Sequence, residues 1–531
     1  MKWNWTILAG ALALGASSAL FAQSDSDIDY PESFDTPIPL FTVALGDFSY
    51  PISSKMPEVQ AYFDQGFQMM YSFTTEDAAR SFREAQLLDP ECAICYWGEA
   101  WAWGSYLNGP MSPDKSPRAF AAINKALARI DLASAKEADL IRAMSTRYVA
   151  DFSAERRLDQ ERAYSDAMAV LAAKYPDDLD IVTLYGDSLF LLEPRRGTRD
   201  LDDPNVIRLH SVLTSVLERD IRHPGACHLY VHATESTPNP GLAEGCAEYL
   251  GTAIPGASHI NHMPSHTWNE IGRWSDSIRA NIMAWHSDQK AAIGEGFAIY
   301  PMHNLAMLLF AASMDGQGAL AIQAGKDYEK LMDSSIYHAL TLVRFGRFDE
   351  VAAVSKRPEN SDFDGGSWDF AQGYAALKMG DTFTAREYLD KLEQLAQDTT
   401  DNYRFHDGKN LLSVLAGILR GEMAWSTGDM ASAVTAFESA TDAYNNIVYD
   451  EPEPFPFSAK HWLGAAYIEV GEYAKAITVY EEDLREHPHN GWSLFGIKQA
   501  LAAQGKSDPD IDARLEQAWA RSDVWLLSSK F

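Results

Sequence analysis

The pattern of hydrophobic and polar positions is helical along most of the chain. The long segments repeat apolar residues at the spacing of one helix face, and none shows the sustained two-residue alternation of a half-buried strand. Gly and Pro clusters separate these segments at regular intervals. The pattern therefore predicts an all-α fold built from short helical hairpins.

Two stretches show most clearly which hairpin this is. A 34-residue helix-turn-helix repeat places small residues at positions 8 and 20, an aromatic at 24 and a proline near 32. The unit that begins near Glu58 fills these positions with Gly66, Ala78, Phe82 and Pro90. A later unit fills them with Gly464, Ala476, Tyr480 and Pro488. Small residues let two helices approach closely and proline ends the second helix, so we predict an all-α, tetratricopeptide-type (TPR) solenoid.

Composition divides the chain into four parts. Residues 1–22 have Lys2 followed by an apolar run from Ile7 to Ala19, which is typical of a signal peptide and too short to span a bilayer. We expect an exported protein, in the periplasm, with no membrane span. Residues 23–57 are acidic and Pro-rich and should form an extended arm, followed by one solenoid at 58–290 and a second at 291–531.

Four irregular segments interrupt the repeats. They are rich in Pro, Gly or charge and cover residues 105–118, 194–206, 287–302 and 450–457. Insertions of this kind either form lids or line a pocket.

Charge and cysteine content narrow the partners and the compartment. The formal net charge is −31, a surface that repels nucleic acid. Cys227 and Cys246 fall on the two helices of one repeat and could form a disulfide across it, which suits an oxidising compartment. Cys92 and Cys95 form a C-x-x-C motif, for which a local disulfide, two packed thiols and a redox or metal role all remain open.

Histidines provide the strongest chemical signal. His228 and His232 are four residues apart, as are His262 and His266, and the second pair follows the first by 34 residues. Each pair should therefore project from one helix face, and the two helices should occupy equivalent places in adjacent repeats. We predict that the four imidazoles face a common point and bind about one transition-metal ion, zinc or copper, per chain.

The known geometry of TPR repeats, rather than composition, adds further candidates. Positions 2, 5, 9 and 12 of the first helix line the concave groove, which adds His259, Glu235 and Asn269, with His303 as a further metal ligand. If three ligands left one coordination position open, Glu235 would be the best-placed general base. A polar groove without metal, and inert packing of duplicated histidines, are the alternatives.

Trp97 and Trp101 are a second candidate site. In the register of the first unit they fall at groove positions 5 and 9, where their faces could stack on a ligand. Core packing is the competing interpretation of an aromatic stripe at this spacing.

Several stretches resemble a family of exported bacterial TPR proteins that has a histidine block of the HMPSH type. They are HPGACHLYVHATE, HMPSHTWNEIGRW, two long stretches between residues 45 and 100, and the Met302–Asn304 triplet. The resemblance implies a fold and an export route, not a reaction. Thr74 and Thr75 stand where family members often have Asn-His, so a ligand at that place would be missing here.

Two functions follow from these features. The first is a binding or scaffold protein that holds a peptide, a protein or a small molecule in its concave groove. The second is a metal-dependent enzyme, hydrolytic or oxidative, on the same scaffold. P-loop, Rossmann, G-x-S-x-G and H-E-x-x-H motifs are absent from the sequence, which lowers the prospect of the common hydrolases and nucleotide enzymes.

Overall fold

A computed structural model describes residues 28–193 and 198–531. The predicted signal peptide lies outside these residues. Within them, no helix is both long and apolar enough to cross a membrane.

The first half of the chain contains α1 to α13. Their bounds are α1 Pro57–Tyr71, α2 Thr75–Leu88, α3 Ala93–Ala102, α4 Lys115–Leu127, α5 Ala135–Ser145, α6 Arg157–Lys174, α7 Leu179–Phe190, α8 Pro204–Leu217, α9 Pro224–Thr234, α10 Glu244–Leu250, α11 Ser258–His262, α12 Pro264–Glu270 and α13 Trp274–Ala291. Short 3-10 helices lie at Glu32–Asp35, Ile130–Leu132 and Pro240–Ala243.

The second half contains α14 to α25 and one small hairpin. Its helices are α14 Pro301–Met314, α15 Gly318–Met332, α16 Ile336–Arg344, α17 Phe348–Ala353, α18 Asp362–Lys378, α19 Thr382–Asp398, α20 Gly408–Ser426, α21 Met430–Tyr444, α22 Lys460–Glu469, α23 Tyr473–Glu486, α24 Gly491–Ala503 and α25 Pro509–Trp519. The strands β1 Asn402–Tyr403 and β2 His406–Asp407 pair antiparallel.

Helix contacts follow the order of a solenoid. Nearly every helix packs on the next one along the chain. First helices of neighbouring hairpins also touch, for example α1 with α3 and α18 with α20. The repeat glycines explain this close approach: a Cβ on Gly66 would lie 2.8 Å from the ring of Phe82, and one on Gly464 would lie 2.3 Å from Tyr480. The predicted all-α TPR-type solenoid is confirmed.

Two hydrophobic cores divide the molecule. The first runs from Ile38 to Phe297 and the second from Trp274 to Ala518, so the chain passes from one to the other around α13. The last helices fold back onto this junction: Trp492 donates its indole N–H to the carbonyl of Ser313 at 2.9 Å. This contact joins α24 to α14.

The N-terminal arm packs as part of the first core. Gln68 holds it by accepting the N–H of Gly46 at 2.7 Å, and Phe48 and Tyr50 of the arm both pack on the ring of Phe67. Trp101 packs on the same ring from α3, at a centroid distance of 5.0 Å. The arm thus covers the aromatic wall of the first repeats.

Candidate metal centre

The first histidine pair lies on α9, which begins at Pro224. His223 caps this helix by accepting the N–H of Ala226 at 3.1 Å, and the disulfide between Cys227 and Cys246 joins α9 to α10. His228 and His232 follow one turn apart, and their ring centroids are 5.0 Å apart. Both side chains are buried.

The second pair lies on the first helix of the next hairpin, which is broken in two. Pro264 has no N–H to donate, so α11 ends at His262 and α12 begins directly after Met263. His259 lies one turn before His262, and His266 lies one turn after it. The 34-residue spacing brings the two pairs together as predicted: the rings of His232 and His266 are 5.5 Å apart.

A sixth imidazole comes from α14. His303 lies 4.5 Å from the ring of His262 and 5.7 Å from that of His266. Tyr300, immediately before the helix, adopts a left-handed conformation with φ of 59° and places its ring against His259. Six residues form what we call the imidazole cluster: His228, His232, His259, His262, His266 and His303.

Hydrogen bonds fix the tautomer of four of these rings. Nδ1 of His228 lies 2.6 Å from the carbonyl of Tyr71, which can only accept, so this nitrogen bears the proton. Nδ1 of His262 lies 2.7 Å from Oδ1 of Asn281, whose amide NH₂ donates to Ser277. Because Oδ1 of Asn281 can only accept, Nδ1 of His262 bears the proton.

Glu235 fixes the other two rings. Its carboxylate accepts Nδ1–H of His232 at 2.8 Å and Nδ1–H of His266 at 2.6 Å. Both oxygens are thus used on imidazoles of neighbouring repeats. The sequence pointed to Glu235 as a candidate general base; in the structure its carboxylate orients two histidines, and in their neutral form their Nε2 atoms are the nitrogens with the free lone pair.

The Nε2 atoms turn toward one another. Those of His262 and His266 are 2.7 Å apart, and those of His228 and His259 are 3.1 Å apart. Nε2 of His232 is buried without a hydrogen-bond partner. Lone pairs at these distances repel unless a proton or a metal ion lies between them.

Burial keeps three of the six imidazoles neutral. It lowers the pKa values of His228, His259 and His262 well below the usual range, and the neighbouring imidazoles lower them further. Burial also opposes charge on His266, but the carboxylates of Glu235 and Glu451 outweigh it and raise that pKa. Neutral imidazoles are the form that binds metals.

Beside the cluster lies a cavity of about 380 Å³. The four irregular segments of the sequence, for which lids and pocket lining were both open, all contribute to its wall. Their contributions are Leu107 and Asn108, Arg199, Tyr300 and Met302, and Glu451. The remaining wall consists of cluster residues, Glu235 and a group from the second half: Ala306, Tyr328, Tyr337, Tyr403 and Arg404.

Other predicted site residues lie elsewhere. Trp97 and Trp101 are 1% and 3% exposed and do not reach this cavity; both pack on Phe67 in the first core. Asn269 lines a second cavity of about 180 Å³ on the far side of His266. Cys92 and Cys95 form a disulfide, as do Cys227 and Cys246.

Three residues of the site escaped sequence reasoning. Glu451 reaches the cavity from the second half, and its carboxylate lies 3.6 Å from Nδ1 of His266. Burial and repulsion by Glu235 raise its pKa. Phe73, left-handed with φ of 61°, packs over His228 at 4.3 Å, and Asn281 supports His262. The Pro-rich DEPEPFPF segment was a signal for Glu451, whereas no pattern marks Phe73 or Asn281.

Comparisons with known proteins add little to this geometry. No protein-family model and no curated protein matches the chain. Solved structures with some similarity include the Cut9-Hcn1 hetero-tetramer of the APC/C, with 14% identity over 88% of this chain and 78% of that one and a TM-score of 0.29. The human IFIT1 dimer with m7Gppp-AAAA is 11% identical over 88% of this chain and 91% of that one, with a TM-score of 0.30. The P58(IPK) TPR domain is 11% identical over 87% of this chain and 97% of that one, with a TM-score of 0.23. Such low TM-scores carry no argument, so the fold rests on the helices themselves.

The arrangement suits an ion that prefers nitrogen ligands. Zinc, copper, nickel and iron bind imidazole, whereas magnesium and calcium require oxygen ligands. A buried carboxylate that holds Nδ1–H of a ligand is a common support of such sites. The neighbouring cavity leaves room for a small molecule to reach a bound ion.

Proposed function

We propose that this protein binds a transition metal, zinc or copper, on the imidazole cluster and presents it to a small molecule in the adjacent cavity. One observation supports the proposal above all: four buried rings donate Nδ1–H to fixed acceptors and direct Nε2 inward. Inert packing would not require all four rings to present the same nitrogen.

A small molecule is better supported than a peptide as the ligand. The aromatic wall of the first repeats is covered by the protein's own arm, and Gln65 and Gln68 hydrogen-bond the arm backbone at Phe41 and Gly46. The cavity beside the cluster has the size of a small-molecule site. Its tyrosines and arginines suit an aromatic or anionic group.

Export agrees with this proposal. The two disulfides are favoured in an oxidising compartment, and the first 22 residues have the composition of a signal peptide. We therefore place the protein in the periplasm.

A spectroscopic experiment tests the proposal. Protein loaded with Co²⁺, which reports its coordination through visible absorption, is titrated with azide and with the larger chelator benzohydroxamate. Both should change the spectrum, because the ion has an open position. Asn108→Trp narrows the cavity, so the affinity for benzohydroxamate should fall at least tenfold while the affinity for azide stays nearly unchanged. Asn445→Trp, on the exposed surface, is the matched control. A spectrum that neither ligand alters would contradict the proposal.

A metal-dependent enzyme, hydrolytic or oxidative, is the second candidate. The observation in its favour is Glu451, whose carboxylate lies on the cavity wall beside His266. It is 3.6 Å from Nδ1 of His266, whereas the carboxylate of Glu235 is 2.6 Å from the same nitrogen. Metal-loaded protein would be screened with chromogenic esters, phosphoesters and phenols. Activity that Glu451→Gln abolishes without loss of metal would support an enzyme; no turnover with any of them would leave the binding function in place.

A further inference from the structure

The imidazole cluster contains two sets of three histidines, and one histidine of each set, His232 and His266, also forms a group of the same spacing with Glu235. His228, His232 and His259 bring their ligand nitrogens within 4.8 Å of one another, and so do His262, His266 and His303. In the described residues, no group with such spacing joins four of these histidines. We infer that the cluster is a two-metal centre, with one transition-metal ion in each set of three histidines. This inference rests on the proposed function and goes beyond it in the number and arrangement of the ions.

Each set contains its own close pair of nitrogens. The Nε2 atoms of His228 and His259 are 3.1 Å apart, and those of His262 and His266 are 2.7 Å apart. Two imidazoles on one zinc are separated by roughly 3.0 Å at a right angle and roughly 3.4 Å at the tetrahedral angle, given bonds of about 2.1 Å. Shifts of a few tenths of an ångström would thus admit an ion into each pair. One metal ion cannot lie within both pairs, so a single-metal centre would need a proton in the other pair.

Glu235 connects the two sets without entering either. Its two oxygens accept Nδ1–H of His232 in one set and of His266 in the other. One carboxylate therefore orients a ligand of each ion at once. This explains why adjacent repeats contribute equivalent histidines and only the first contributes the glutamate.

The surroundings also suit two cations. Glu235 and Glu451 supply two carboxylates close to the rings, and the chain as a whole is strongly acidic. Phe73 packs against His228, His232 and His259 and covers that set with an apolar ring. The open side of the cluster is the cavity, which His232, His259 and His303 all line. An exogenous ligand there would meet imidazoles of both sets.

The test uses Cu²⁺ as the probe. Full-length protein is loaded, dialysed and analysed for copper per chain and by electron paramagnetic resonance. We expect two ions per chain and a half-field transition, which requires two coupled Cu²⁺ ions in one molecule. His259→Ala and His303→Ala remove one ligand from different sets; each should reduce copper to one per chain and abolish the half-field signal.

Controls separate the inference from simpler outcomes. His286→Ala removes an exposed histidine and should leave two ions. Because His259 is fully buried, His259→Asn serves as a second variant in case the alanine variant does not fold. A single ion in the wild-type protein would overturn the two-metal centre but not the proposed function. No retained ion would overturn both, and loss of one ion in His286→Ala would show that the second ion lies on the surface.

Discussion

Two buried groups of histidines can be compared within this one chain. The imidazole cluster lies at the junction of the two cores, and a second group, which we call the His487 network, lies within the second half. The network consists of His461, His487, Asp483, Glu453, Asn490 and Ser493. Both groups are buried and both contain carboxylates, yet their hydrogen bonds differ.

In the His487 network the carboxylates bind three of the four ring nitrogens, and only Nδ1 of His461 is buried without a hydrogen-bond partner. Asp483 accepts from His461 at 3.0 Å and from His487 at 3.1 Å, and the other nitrogen of His487 donates to Glu453. Burial opposes charge on His487, but the two carboxylates outweigh it and raise its pKa well above the usual range. The network thus holds one charged histidine between two carboxylates. The imidazole cluster has many more ring nitrogens than acceptors, and the excess is what a metal ion would bind.

The largest expected effect is on stability, in the network. Asp483→Ala leaves charged His487 without one partner and removes the acceptor of Asn490 and Ser493, so we expect a loss of about 3–5 kcal/mol in unfolding free energy. Urea unfolding measures this loss, with Glu482→Ala on the same helix as the exposed control. Metal content should not change. A variant that lost its metal while keeping its stability would reverse the roles of the two groups.

Removing the metal should have the next largest effect. An ion that binds only the folded state stabilises it by about 3–4 kcal/mol when free metal exceeds Kd by 100- to 1000-fold. A chelator should lower the unfolding free energy of the wild-type protein by this amount, and added metal should restore it. The same treatment should leave the unfolding free energy of His232→Ala/His266→Ala unchanged. An equal drop in both proteins would mean that the chelator acts on a metal ion at another site.

A smaller effect is expected from Glu235→Gln. Glutamine can accept from only one of the two imidazoles with its oxygen, so His232 or His266 loses its orientation. Metal affinity should fall about 10- to 100-fold, measured by competition with a chromogenic chelator. Glu244→Gln, exposed on α10, is the control and should bind normally. Undiminished affinity in Glu235→Gln would mean that the carboxylate does not support the ligands.

The smallest effect concerns pH and the network. Burial lowers the pKa of His461 to about 4, so the folded protein resists a protonation that the unfolded chain undergoes near pH 6.5. Stability from this group is complete above pH 6.5 and is lost as pH falls toward 4. Between pH 6.5 and 5.5 the wild-type protein should lose about 1 kcal/mol more than His461→Gln. Parallel pH profiles of the two proteins would exclude His461 as the source.

Local sequence patterns predicted the helices and the proximity of the two histidine pairs. The 34-residue spacing determines which helices are adjacent, so His232 and His266 had to approach each other once the repeat was recognised. The pairing of Cys227 with Cys246 follows from the same hairpin geometry.

Long-range packing decided what the sequence left open. Trp97 and Trp101 lie at groove positions, but the arm supplies Phe48 and Tyr50 to cover Phe67, and no local pattern announces that contact. The position of Glu451 likewise depends on how the second half folds back onto α14. The contact of the two Glu235 oxygens with two rings is also a fact of distance that spacing alone does not supply.

Elemental analysis decides whether the imidazole cluster holds a transition metal. Protein exported and purified without chelators is compared with His232→Ala/His266→Ala, and with His232→Gln/His266→Gln, whose amides can still donate to Glu235. Circular dichroism confirms that the helices are intact in each. The account predicts stoichiometric zinc or copper in the wild-type protein and almost none in either double variant. Equal, substoichiometric metal in all three proteins would contradict it.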